Sequence, residues 1–133
     1  KNLISMFETA GKHLKTGGIF VFDFWFGPGV LTTPPETKIK RMSNKEVDIL
    51  RIAEPKIHPN ENIVDVNYNV QVKKKHLENI IEINEIHKMR YLFIPEIKRY
   101  CEPWFLIDSN FAWMKLIKPD LCDWLCISLL VRK

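Results

Sequence analysis

Glu85 and His87 are the residues of this chain best spaced for proton chemistry. They stand two apart in a segment, residues 79–93, where Ile81, Ile83, Met89, Tyr91 and Phe93 fall on the same alternation. A strand there puts the carboxylate and the imidazole side by side on the face its apolar residues pack. An imidazole so placed takes a proton from an amine or hydroxyl, and the adjacent carboxylate orients it. A strand histidine also suits a plain structural role, hydrogen-bonded within the sheet, and both readings stand on the sequence.

Asp23, Trp25 and Phe26 close a nearly continuous apolar run, Ile19 to Phe24, of the kind that forms a parallel strand covered on both faces. Ligands of open α/β sheets collect at the carboxyl ends of such strands, so these three residues are expected to line a substrate pocket. Alternatively, the two aromatics pack and Asp23 caps the loop. Arg90 and Lys88 lie on the opposite side of the 79–93 strand, with Glu82 and Asn84. The Arg90 guanidinium is suited to a substrate phosphate or carboxylate, and equally to a solvated strand face.

The elements that must hold these residues can be read along the chain. Leu3, Phe7, Ala10 and Leu14 predict a helix over 1–15, ended by Gly17-Gly18 before the 19–24 strand. Residues 25–37, with Gly27-Pro28-Gly29 and Pro34-Pro35, predict a loop. Three antiparallel strands follow at 47–54, 63–72 and 79–93, the second alternating strictly from Val64 to Val72. Pro59-Asn60-Glu61-Asn62 turns the first pair, and the basic Lys73–Leu77 stretch turns the second. Pro95 opens a short helix that Pro103 stops, and strands at 105–111 and 124–131 finish the chain.

Composition narrows the classes. The 133 residues fit one α/β domain, with a net charge of +4 that forms no basic face, so no nucleic-acid partner is expected. No run approaches the ~20 apolar residues of a membrane span. Three cysteines, an odd number, fit a reducing compartment, the cytoplasm, rather than a disulfide framework. Cys122 and Cys126 have no further ligand at metal-site spacing, so no metal is expected.

Three stretches carry a resemblance. His13-Leu14-Lys15-Thr16-Gly17-Gly18 and its strand resemble the L-K-P-G-G signature before the fifth strand of class I S-adenosylmethionine-dependent methyltransferases, with Thr16 in place of proline. Residues 86–93 with Glu96-Ile97 resemble the strand and helix start after that family's β insertion, and 124–133 its closing strand. Pro103-Trp104-Phe105 departs from the glycine usual before the sixth strand.

The resemblance implies a partial Rossmann-like methyltransferase sheet, strands five to seven, with an antiparallel β insertion. Residues 1–36 and 95–133 would form the core, and 37–94 the insertion covering the substrate. It implies the C-terminal part of a methyltransferase acting on a small polar acceptor, amino sugars among the candidates. His87 and Glu85 would be catalytic, and Asp23, Trp25, Phe26 and Arg90 would bind the small-molecule substrate. S-adenosylmethionine would be the cofactor of the whole enzyme. The glycine turn and ribose acid that hold it have no counterpart here, so the isolated chain is expected to be inactive. The missing initiator methionine and the start inside a helix fit a part of a longer product. The remaining alternative is a non-catalytic fragment or self-association module. In either case the 19–24 strand would present a bare edge through which copies of the chain associate.

Overall fold

The computed structural model describes residues 3–133; residues 1 and 2, part of the expected first helix, lie outside them. The chain divides into two compact units, one made of the chain up to Thr33 together with Tyr91–Lys133, the other Pro34–Arg90.

The first unit opens with helix α1 (Leu3–His13). Gly17, at a φ of +80°, makes the left-handed turn into strand β1 (Ile19–Phe26) at no Cβ cost. Backbone bonds Gly17 N–H to Arg132 O and Arg132 N–H to Gly18 O, both 2.8 Å, tie that turn to the far end of the chain. Strand β7 (Leu125–Arg132) runs antiparallel to β1 from Ile19 opposite Val131 to Trp25 opposite Leu125, and β6 (Phe105–Ala112) flanks β7. On the other side of β1, among the described residues, Trp25 and Phe26 alone are paired, parallel to Tyr91 and Leu92.

Alternation in β1 sends Phe20, Phe22, Phe24 and Phe26 to one face, where α1 and helix α3 (Ile94–Cys101) cover the sheet. Phe7 meets Phe22 edge-on at 5.6 Å and sits in a core with Phe26, Leu92, Ile97, Phe105 and Leu130. The close passage of α1 over Trp104 needs Gly11, because a Cβ there would stand 2.6 Å from the indole. Arg132 completes that corner, donating to Gly11 O at 2.8 Å and to Trp104 O at 3.0 Å with its guanidinium over the indole ring. The Pro103-Trp104-Phe105 corner is therefore built on an arginine and an aromatic rather than on a glycine. Buried Ser128 is satisfied by Asn110 at 2.6 Å.

The second unit is an antiparallel sheet of β2 (Lys38–Ser43), β3 (Val47–His58), β4 (Ile63–Lys74) and β5 (Ile80–Leu92), paired in that order; the last residues of β5 belong to the first unit. One face carries an amide ladder. Asn69 donates to Asn84 at 2.8 Å and to Glu82, and Gln71 donates to Asn69 at 3.2 Å. The other face carries Ile57, Val64, Val66, Tyr68, Val70 and Val72.

Several expectations are corrected. Residues 25–37 are not all loop: β1 continues to Phe26 and helix α2 (Gly27–Thr32) follows, with Pro28 in its first turn, where a missing N–H costs nothing. Strand β2 was not expected, because each of its residues is exposed and no buried alternation marks it. Strand β3 runs four residues beyond 54, to His58.

Candidate functional site

At the carboxyl end of β1, Trp25 meets Trp124 with ring centroids 5.4 Å apart. The Trp124 indole N–H donates to Thr33 O at 2.9 Å, and Phe26 N–H donates to Trp124 O at 2.8 Å, so β1, α2 and the entry to β7 are locked together. The two glycines of α2 make this close approach possible. A Cβ on Gly27 would stand 2.5 Å from the Phe93 ring, and one on Gly29 would overlap the Asp123 carbonyl. Asp23 and Trp25 share the face of β1 opposite the core, Asp23 exposed and Trp25 half-buried, whereas Phe26 is buried among the core aromatics. Phe26 therefore belongs to the core face of β1 and not to the face that carries Asp23 and Trp25.

In the second unit Glu85 and His87 do pair, with Nε2 2.9 Å from Oε2. The neutral ring then carries its proton on Nε2, donating to Glu85, and leaves the Nδ1 lone pair free to accept a proton. The packed surroundings expected for them are corrected: the side chains are 52% and 59% exposed. The cause is topological: among the described residues Ile80–Arg90 pairs with β4 alone and forms an edge of this unit's sheet. His87 stands edge-on to Tyr68 at 4.9 Å, and the Arg51 guanidinium lies over the Tyr68 ring at 5.7 Å. Arg51 Nε is buried with no hydrogen-bond partner among the described residues. The registers put Arg51, Tyr68, Glu85 and His87 on one face of three successive strands.

Arg90 falls on the amide-ladder face, opposite Ile63. Nearby on that face Asp65 accepts from His58 at 3.1 Å and lies 3.9 Å from Lys88 Nζ. Arg51 and Tyr68 escaped the sequence reading. An arginine and an aromatic on the apolar side of neighbouring alternating strands was the signal available.

Among the described residues no group of three His, Cys, Asp or Glu side chains could hold a metal. Nor do the glycine turns fit S-adenosylmethionine. The backbone of Gly17 and Gly18 is bonded to Arg132 and Lys15. Gly27-Pro28-Gly29 does sit at a strand-to-helix turn, contrary to expectation, but Pro28 offers no N–H and the space above both glycines is filled by Phe93 and Asp123.

No family model matches the chain, and no curated protein matches it by sequence. Solved structures do match its fold. An S-adenosylmethionine-dependent methyltransferase from Clostridium acetobutylicum ATCC 824 superposes with a TM-score of 0.74 at 19% identity, over 97% of this chain and 50% of that one. The sugar N-methyltransferase KedS8 from Streptoalloteichus sp ATCC 53650 gives 0.73 at 11%, over 98% and 49%. The CcbJ methyltransferase from Streptomyces caelestis gives 0.69 at 14%, over 98% and 52%. The chain thus spans about half the length of these proteins, and its fold is that of a partial Rossmann-like methyltransferase sheet with an antiparallel β insertion.

Proposed function

We propose that this chain is the acceptor-side half of an S-adenosylmethionine-dependent methyltransferase acting on a small polar acceptor, with amino sugars the leading class. The observation that carries the reading is a fold shared over almost the whole chain with methyltransferases, one of them a sugar N-methyltransferase. The methyl donor is bound by residues outside this chain, because the turns present here are filled by the chain's own atoms. The Glu85–His87 pair supplies the base. Nδ1 of His87 takes the proton that the acceptor amine or hydroxyl loses, and Glu85 stabilises the resulting imidazolium. Asp23 and Trp25 are assigned to acceptor binding at the carboxyl end of β1; Arg90, on the strand face opposite His87, is not assigned to the same acceptor.

The test is transfer of labelled methyl from S-adenosylmethionine to a panel of amino sugars and small amines, by the protein in which this half is joined to a cofactor-binding half. Transfer is expected there and not with this chain alone. His87→Ala should lower turnover on the order of a hundredfold, the usual cost of one general base, with cofactor affinity unchanged. Transfer to no amine or hydroxyl in the panel would overturn the activity. Wild-type turnover in the correctly folded mutant would remove His87 from it.

A further inference from the structure

Residues 113–124 join β6 to β7 and reach the same end of the sheet as Trp25 and Trp124. This loop has a fixed path. Ala112 N–H donates to Ile117 O at 2.9 Å, Lys115 N–H to Ala112 O at 3.0 Å, and Trp113 N–H to Leu125 O at 3.0 Å. Asp120 and Asp123 close its second half, Asp120 N–H donating to Asp123 Oδ2 and Asp123 N–H to Asp120 O, both at 2.9 Å. An ordered loop ordinarily turns its apolar side chains inward. Here Leu116 is 90% and Met114 81% exposed, and Trp113, Ile117 and Leu121 also point outward. Met114 holds a φ of +56°, a left-handed conformation that an unbranched non-glycine residue adopts at a cost.

We propose that this apolar rim, at the same end of the sheet as the Trp25–Trp124 pair, seats the apolar body of the acceptor, so that the substrate is amphipathic: a polar group to be methylated on an alkyl or aryl frame. The proposal rests on the methyltransferase reading and moves its leading acceptor class from amino sugars to amines or hydroxyls carried on an apolar frame. Position argues for a small ligand, because the rim adjoins the strand end where open α/β sheets bind their ligands. Charge argues against an anionic lipid surface. Lys115 and Lys118 are balanced within the loop by Asp120 and Asp123, and Lys115 Nζ lies 3.4 Å from Asp123. Size argues against a second copy, since a single short loop falls below the roughly 20–30 residues a side of a stable protein interface.

The experiment titrates this chain with butylamine, hexylamine and octylamine and follows the indole N–H signals of its four tryptophans. The dissociation constant is expected to tighten about fourfold per added methylene, the worth of burying one CH2 group. Signals of Trp25, Trp113 and Trp124 should move, while Trp104, stacked under Arg132, stays as an internal control. Leu116→Ser with Ile117→Ser, both exposed and so not needed for folding, should abolish the dependence on chain length. Affinity that is flat along the series, equal movement of Trp104, or an unchanged series in the double variant would overturn the apolar seat and leave methyl transfer standing. Binding to neutral phosphatidylcholine vesicles, or self-association, that the double variant abolishes would overturn it as well, assigning the rim to a membrane or to a second copy. A steep series beside absent methyl transfer would instead overturn the enzyme reading.

Discussion

Cys122 and Cys126 lie four residues apart and differ in everything but type. Cys122 is exposed; Cys126 is fully buried in the core, and desolvation, with the Asp123 carboxylate adding to it, pushes its thiol up to about 11. Burial raises the Cys101 thiol too. A thiol reagent at pH 8 is therefore expected to modify one cysteine quickly, Cys122, and the other two only on unfolding; rapid modification of three would contradict the buried placement. The same shifts set a pH dependence. In the unfolded chain these thiols ionise near their ordinary value of 9, so between that value and about 11 the folded state holds protons that the unfolded state has lost. Stability is full below pH 9 and falls as pH rises through 11, and Cys126→Ala should flatten that fall in urea unfolding measured at pH 8 and 10.5. The Glu85–His87 pair behaves differently, because it is exposed. Surface pairs of this kind contribute about 0–1 kcal/mol, so Glu85→Gln should move the unfolding free energy by less than about 1 kcal/mol. A catalytic loss in that variant would then be chemistry and not misfolding.

Strand β4 was legible because one of its faces is apolar and the other wet, which writes a period of two from Val64 to Val72. The pairing of Glu85 with His87 was legible for the same reason, since period fixes side. Their exposure was not, because it depends on which strand lies beyond β5, and that is a fact of topology. Strand β2 was hidden by its composition: Lys38, Lys40 and Arg41 are the charges that edge strands carry to discourage further pairing, and with all six residues exposed no apolar alternation is written. Helix α2 was hidden because glycine and proline read as a turn, whereas here the glycines are demanded by packing. That difference is measurable. Gly29→Ala drives a Cβ into the Asp123 backbone, which cannot yield, and should destabilise at the upper end of the roughly 1–3 kcal/mol that overpacking costs. Gly27→Ala meets the Phe93 ring, which can turn, and should fall at the lower end. Equal costs by chemical denaturation would show that the strand-to-helix turn adjusts as a whole. At the core of the same unit, Phe7→Ala removes a fully buried ring in contact with Phe22 and Phe105 and should cost about 3–5 kcal/mol.

At the scale of the whole molecule, the chain spans about half of each methyltransferase whose fold it shares. Isothermal calorimetry with S-adenosylmethionine is expected to show no saturable site at micromolar concentrations, since both glycine turns are occupied by the chain's own groups; a tight site would overturn the division of labour proposed here. The pairing of β1 has a further consequence. Along Ile19–Phe24, β1 is bonded to β7 on one side, and its other side has no strand among the described residues. The face turned away from the helices adds Ile19 and Val21, each more than half exposed, beside Ile127 and Leu129. An open row of backbone donors and acceptors next to exposed apolar side chains favours pairing with another chain. Covering that surface returns about 25 cal/mol for each Å² of apolar area removed from water. The chain is therefore expected to dimerise or aggregate through this edge, as measured by multi-angle light scattering across a concentration series. Val21→Lys places a charge on the exposed face, where Val21 is 54% exposed, and should shift the distribution toward monomer with little effect on the unfolding midpoint. A wild-type chain that stays monomeric at high concentration, or a lysine variant that associates as strongly, would show that the edge is protected by its own twist and side chains.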